Sequence, residues 1–86
     1  MKNNMFQANV RITLRKSILD PKGKATKQAL GNLGFDKVEN VRVGKLIQLN
    51  INTDNRDEAQ RIATEASKQL LANEVMEDFE VELVNV

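Results

Sequence analysis

Phe6, Ala8, Val10, Ile12 and Leu14 alternate with Gln7, Asn9, Arg11, Thr13 and Arg15. A period of two is that of a strand with one face buried and the other wet. A chain that opens on such a strand must bring a second layer over the apolar face. The other elements are constrained by that need.

Leu19-Asp20-Pro21-Lys22-Gly23 follows. The Asp20 carboxylate suits an N-cap, and Pro21 suits the first helical position because its missing N–H has no helical partner there. Ala25, Ala29, Leu30 and Leu33 recur at helical spacing, and Gly34 supplies the left-handed residue that ends many helices, so a helix is predicted over 21–33. Val38, Val41 and Val43, then Ile47, Leu49 and Ile51, flank Gly44-Lys45. They read as two strands joined by a tight hairpin, with Gly44 taking the positive φ such a link demands. Thr53-Asp54-Asn55 offers capping side chains, Asp57 and Glu58 suit a first helical turn, and Ala59, Ile62, Ala63, Ala66 and Leu70 form one stripe. This second helix is expected to end near Ala72-Asn73. Phe79, Val81 and Leu83 alternate with Glu80 and Glu82 as a closing strand.

The predicted order is β-α-β-β-α-β: an α+β two-layer sandwich of ferredoxin-like type, with both helices on one face of the sheet. The first and last strands are then antiparallel neighbours, which sets Arg11 and Arg15 opposite Glu80 and Glu82. Gln7, Asn9, Gln48 and Asn50 lie on the open polar face, where they suit a wet contact between two such faces.

With 86 residues the chain reads as a single domain over 1–86, small enough that oligomerisation is an expected source of stability. Its net charge of +1 is unevenly placed: ten Lys/Arg against three Asp/Glu over 1–45, and three against nine over 46–86. The halves, +7 and −6, neutralise one another within or between subunits. That balance lacks the positive excess of a nucleic-acid binder. Nor do the strands carry the outward aromatic residues on which an RRM-type sheet stacks bases. No cysteine is present, so disulfides are excluded and a cytoplasmic location is expected. Met1-Lys2-Asn3-Asn4 leads straight into the alternating strand, with no apolar signal core, and no run of residues is apolar enough to span a membrane.

Histidine, cysteine, tyrosine and tryptophan are all absent, which removes the usual general base, the thiol nucleophile and the commonest metal ligands. Ser17 and Ser67 have no histidine to activate them, and no phosphate-binding loop occurs. Glu77, Asp78, Glu80 and Glu82 read as a solvated edge rather than as an acid–base or magnesium site. No catalytic residue, metal ligand or bound cofactor is expected on this chain.

Three stretches together resemble the PurS family: Leu19-Asp20-Pro21-Lys22-Gly23 leading into Ala29-Leu30 and Leu33-Gly34; Val41-Arg42-Val43-Gly44-Lys45; and Leu70-Leu71-Ala72-Asn73 with Val75-Met76-Glu77-Asp78-Phe79. The chain departs from the family's usual proline at Glu74 and its usual tyrosine at Phe79. The resemblance implies a non-catalytic, dimerising subunit of phosphoribosylformylglycinamidine synthase in purine biosynthesis. It would join a large synthetase to a separate glutaminase and support ammonia transfer, with ATP, magnesium and glutamine used by the complex rather than by this chain.

The expected partner-binding residues are Asp20, Pro21, Gly23, Arg42, Gly44, Lys45, Asn73, Glu77 and Asp78. Asp20, Pro21 and Gly23 also have a structural reading as a helix start, Gly44 as the hairpin glycine, and Asn73 as a cap of the second helix. Glu77 and Asp78 read equally as solvated turn residues. Arg42 and Lys45 are expected to be dispensable for folding and so free for an interface. A competing reading is an ACT-like regulatory dimer that binds an amino acid near Lys16-Ser17-Ile18-Leu19-Asp20-Pro21.

Overall fold

The structure, a computed structural model, describes residues 5–85. The leaderless start read at Met1-Lys2-Asn3-Asn4 lies outside them. The alternating segment forms β1 (Phe6–Leu14), the central strand of a three-stranded sheet. It pairs antiparallel on one side with β2 (Lys45–Ile51) and on the other with β3 (Glu77–Asn85), giving the order β2-β1-β3. Its even-numbered side chains are the buried ones: Ala8, Val10 and Ile12 are wholly inaccessible and Phe6 nearly so.

Both helices begin as their capping residues dictate. Asp20 caps α1 (Pro21–Asn32) by accepting the Gly23 N–H, and Asn55 caps α2 (Arg56–Ala66) by accepting the Glu58 N–H. Helix α2 presents Ala59 and Ala63 to Phe6, Ala8 and Ile51, with Leu49, Ile62, Val81 and Leu83 packed around them. Alanines at these positions let the helix lie close to the strands. Over Ser67–Leu71 the helix widens into a π turn, closed by the Ala72 N–H donating to the Ser67 carbonyl. The Ser67 hydroxyl, fully buried, is satisfied by the Ala63 carbonyl at 2.7 Å. Gly34 follows α1 with φ 97°, the left-handed geometry expected of it.

The α+β class, the capped helices and the β1–β3 pairing agree with the sequence reading, but the second strand and its hairpin do not. Residues 38–44 form no strand, and Gly44 does not have positive φ. Two side chains hold this segment away from the outer edge of β2. The Asp20 carboxylate takes the Val43 N–H at 2.7 Å, and the Arg42 guanidinium donates to the carbonyls of Leu14, Arg15 and Ile18. Gly44 is needed for a different reason from the one expected: a Cβ there would sit 2.5 Å from the Ile12 carbonyl oxygen, where the chain crosses β1 before Lys45 pairs with Ile12.

A second correction concerns α1, which does not join α2 over the sheet. Helix α2 makes the extensive helix–strand packing among the described residues, and Gly23 is the one buried residue of α1. Leu33 and Phe35 are 73% and 56% exposed. The helix therefore projects, and the molecule measures 50 × 32 × 14 Å. On the open face Arg11 pairs with Glu82 at 3.0 Å, whereas Arg15 pairs with Asp78 rather than with Glu80 or Glu82. Asn9 bridges Gln48 and Glu82 in the same polar row.

Candidate docking notch

The C-terminal end of β1, the start of α1 and the first residues of β2 and β3 meet at one end of the sheet. Because β1 is antiparallel to both neighbours, Ile12 lies opposite Lys45 and Leu14 opposite Glu77. All four lie on the covered face and line a notch of about 420 Å³. Asp20, Pro21, Lys22, Val43 and Gly44 complete its lining.

Asp20 organises this end. It is 5% exposed, and its two carboxylate oxygens accept the Gly23 and Val43 N–H groups at 3.0 and 2.7 Å. The Gly23 amide, then the Val43 amide and the Arg42 charge, hold the carboxyl below its ordinary pKa. Gly23 has no room for a side chain, since a Cβ would overlap the Val41 carbonyl. Arg42 gathers the Leu14 carbonyl at the end of β1 and the Arg15 and Ile18 carbonyls of the following loop through 2.7–3.2 Å contacts. Arg42 thus serves the fold, contrary to the expectation that folding needs no such residue there.

At the rim, Lys45 Nζ lies 3.9 Å from Glu77 Oε2. Glu77 is half-buried and its Oε1 accepts the Asn73 N–H, so it is not a free turn carboxylate. Asn73 does not cap α2. Its side-chain oxygen instead accepts the Val75 and Met76 N–H groups, shaping the turn into β3. Asp78 points to the open face beside Arg15.

Asp20, Pro21, Gly44, Lys45 and Glu77 from the sequence set thus share one notch. Gly23 and Arg42 brace it, Asn73 positions Glu77, and Asp78 lies apart. The apolar floor, Ile12, Leu14 and Val43, and the rim residue Lys22 were missed. Strand parity was the available signal, because Leu14 and Glu77 end up paired only if β1 and β3 run antiparallel with this register. Among the described residues no three metal-ligating side chains gather at one point.

A small α+β module with a notch built from packing, charge and backbone contacts fits the class of accessory, partner-binding subunits. The comparisons name the family. Residues 7–85 match the model of PurS, phosphoribosylformylglycinamidine (FGAM) synthase. The PurS subunit of Bacillus subtilis (strain 168) is 37% identical over 82 residues, covering 95% of this chain and 96% of that one. The structure of Thermus thermophilus PurS superposes with a TM-score of 0.85 at 41% identity, over 95% of this chain and 98% of that one. A chain of the PurLQS structure from Thermotoga maritima gives 0.86 at 29% identity, over 93% and 98%. The chain belongs to the PurS family, a subunit of the FGAM synthase of purine biosynthesis.

Proposed function

We propose that this chain is the docking subunit that joins the large ATP-dependent synthetase of FGAM synthase to its glutaminase. The assembly converts formylglycinamide ribonucleotide, glutamine and ATP, with magnesium, into formylglycinamidine ribonucleotide. Ammonia set free from glutamine at one site must reach an activated amide at another without escaping to water. A rigid bridging subunit supports that transfer by fixing the two partners relative to each other. We place its action in the cytoplasm, and no described helix is long and apolar enough to cross a membrane.

The observation that carries this reading is the convergence at one notch of Asp20, Pro21, Gly44, Lys45 and Glu77, drawn from three separate stretches of the sequence. A regulatory module for amino acids receives less support from the same geometry. Such a ligand brings an ammonium group that needs a free carboxylate, and both acids of the notch are engaged, Asp20 by two amides and Glu77 by Asn73 and Lys45.

The subunit acts as a homodimer in this account. Leu33 and Phe35 on the projecting α1 region leave apolar surface that a second copy would cover. Reconstitution tests the function directly: glutamine-dependent synthesis by the two larger subunits should require this chain, while synthesis from added ammonium should persist without it. Equal glutamine-dependent rates with and without the chain would refute the bridging role.

A further inference from the structure

The charges and apolar surface of the notch are unequal in a way that defines what it takes. Its floor is aliphatic, and part of that surface is open: Val43 is 39% exposed and Leu14 half-buried. Both carboxylates of the notch are engaged, Asp20 by backbone amides and Glu77 by the Asn73 amide and the Lys45 ammonium. Lys22 also lines the notch, is exposed, and has no carboxylate within ion-pair distance among the described residues. An apolar recess beside an uncompensated cation is complementary to an aliphatic side chain with an acidic neighbour.

We propose that the notch is the socket for one such element of the large synthetase subunit: an aliphatic residue seated on Leu14 and Val43, with an adjacent Asp or Glu paired to Lys22. The proposal rests on the bridging reading and specifies its chemistry. A second copy of this chain is the main rival occupant, because Glu74 and the 77% exposed Val75 offer an acidic-aliphatic tip. Self-association, however, has a surface of its own near Leu33 and Phe35. Leu33 lies about 16 Å along the helix from Lys22 at 1.5 Å per residue, so the two contacts do not compete for one place.

The test is titration of the purified large synthetase subunit with the wild-type chain, Lys22→Glu and Val43→Ser, at low and high salt. Sedimentation and thermal midpoints of the same proteins accompany it. Lys22→Glu should bind at least tenfold more weakly at low salt, with an unchanged midpoint and unchanged self-association. Its affinity should also vary less with salt than the wild type's. Val43→Ser should weaken binding at both salt concentrations. Wild-type affinity in Lys22→Glu would overturn the socket while leaving the bridging role intact. Loss of self-association in Lys22→Glu, with synthetase binding retained, would assign the notch to a second copy and overturn the proposal. Failure of the wild-type chain itself to bind would overturn the bridging reading and the socket together. Should Val43→Ser lower the midpoint, Lys22→Glu alone decides.

Discussion

The carboxylate of Asp20 accepts the backbone N–H of Val43 at 2.7 Å, tying the first turn of α1 to the segment that enters β2. With the second oxygen on the Gly23 N–H, one side chain caps a helix and anchors a crossing segment. Asp20→Asn keeps the shape but loses the charge and one of the two acceptors. The thermal midpoint should fall by about 5 °C or more, since a domain of this size moves several degrees for each lost contact of this kind. Differential scanning calorimetry at neutral pH is the measurement.

The same contacts give the stability a pH dependence whose sign is fixed. The Gly23 amide, the Val43 amide and Arg42 depress the folded-state pKa of Asp20 below 3.8. The stabilisation is therefore complete above the unfolded-state value and is lost as pH falls through the folded-state value. Midpoints measured from pH 6 down to pH 2 should drop at the acid end in the wild type, and less in Asp20→Asn. Parallel curves would show that Asp20 carries none of the dependence.

Arg42 should behave as a structural residue. The carbonyls of Leu14, Arg15 and Ile18 all meet one terminal guanidinium nitrogen, Nη2, which the shorter lysine side chain does not reach, so Arg42→Lys should cost about 1–2 kcal/mol. It should also speed proteolysis at Lys16. Denaturant unfolding and limited trypsin digestion check the two effects. An unchanged midpoint would restore the view that this residue is free for an interface.

Two glycines should respond in opposite directions to alanine. Gly44→Ala puts a methyl 2.5 Å from the Ile12 carbonyl oxygen and 2.7 Å from Thr13 Cγ2. It should destabilise by about 1–3 kcal/mol, as overpacking does. Gly31 lies within α1 with nothing within 4 Å of an added Cβ, and Gly31→Ala should stabilise by about 0.5–1 kcal/mol. Urea unfolding of both variants gives the comparison.

Leu33→Ser with Phe35→Ser should leave the protomer folded, because both side chains are largely exposed. It should shift sedimentation toward the monomer. A folded variant that remains dimeric would remove α1 from the self-contact.

Much of this architecture is legible in the residues. The alternation from Phe6 to Leu14, the caps at Asp20 and Asn55 and the glycine after α1 are local signals, and they correspond to local structure. The misreadings are tertiary. Val38, Val41 and Val43 give a β-branched apolar run of the kind strands favour, yet their segment is captured by Asp20 and Arg42, side chains whose reach over more than twenty residues no period reveals. The apolar spacing on α1 predicts a helix over the sheet, but helical spacing alone does not say what a stripe packs against. At the notch the motif residues were legible one by one. Their meeting place was not, because it depends on the register that sets Ile12 beside Lys45 and Leu14 beside Glu77.

Joining a synthetase to a glutaminase through this chain requires that the three proteins travel as one species. Sedimentation of the three purified proteins together, with glutamine and magnesium nucleotide present, tests it most directly. One ternary species is expected, disappearing when this chain is omitted and leaving the two larger subunits apart. A synthetase–glutaminase complex that forms equally well without it, or a chain that sediments alone in the full mixture, would contradict the bridging role.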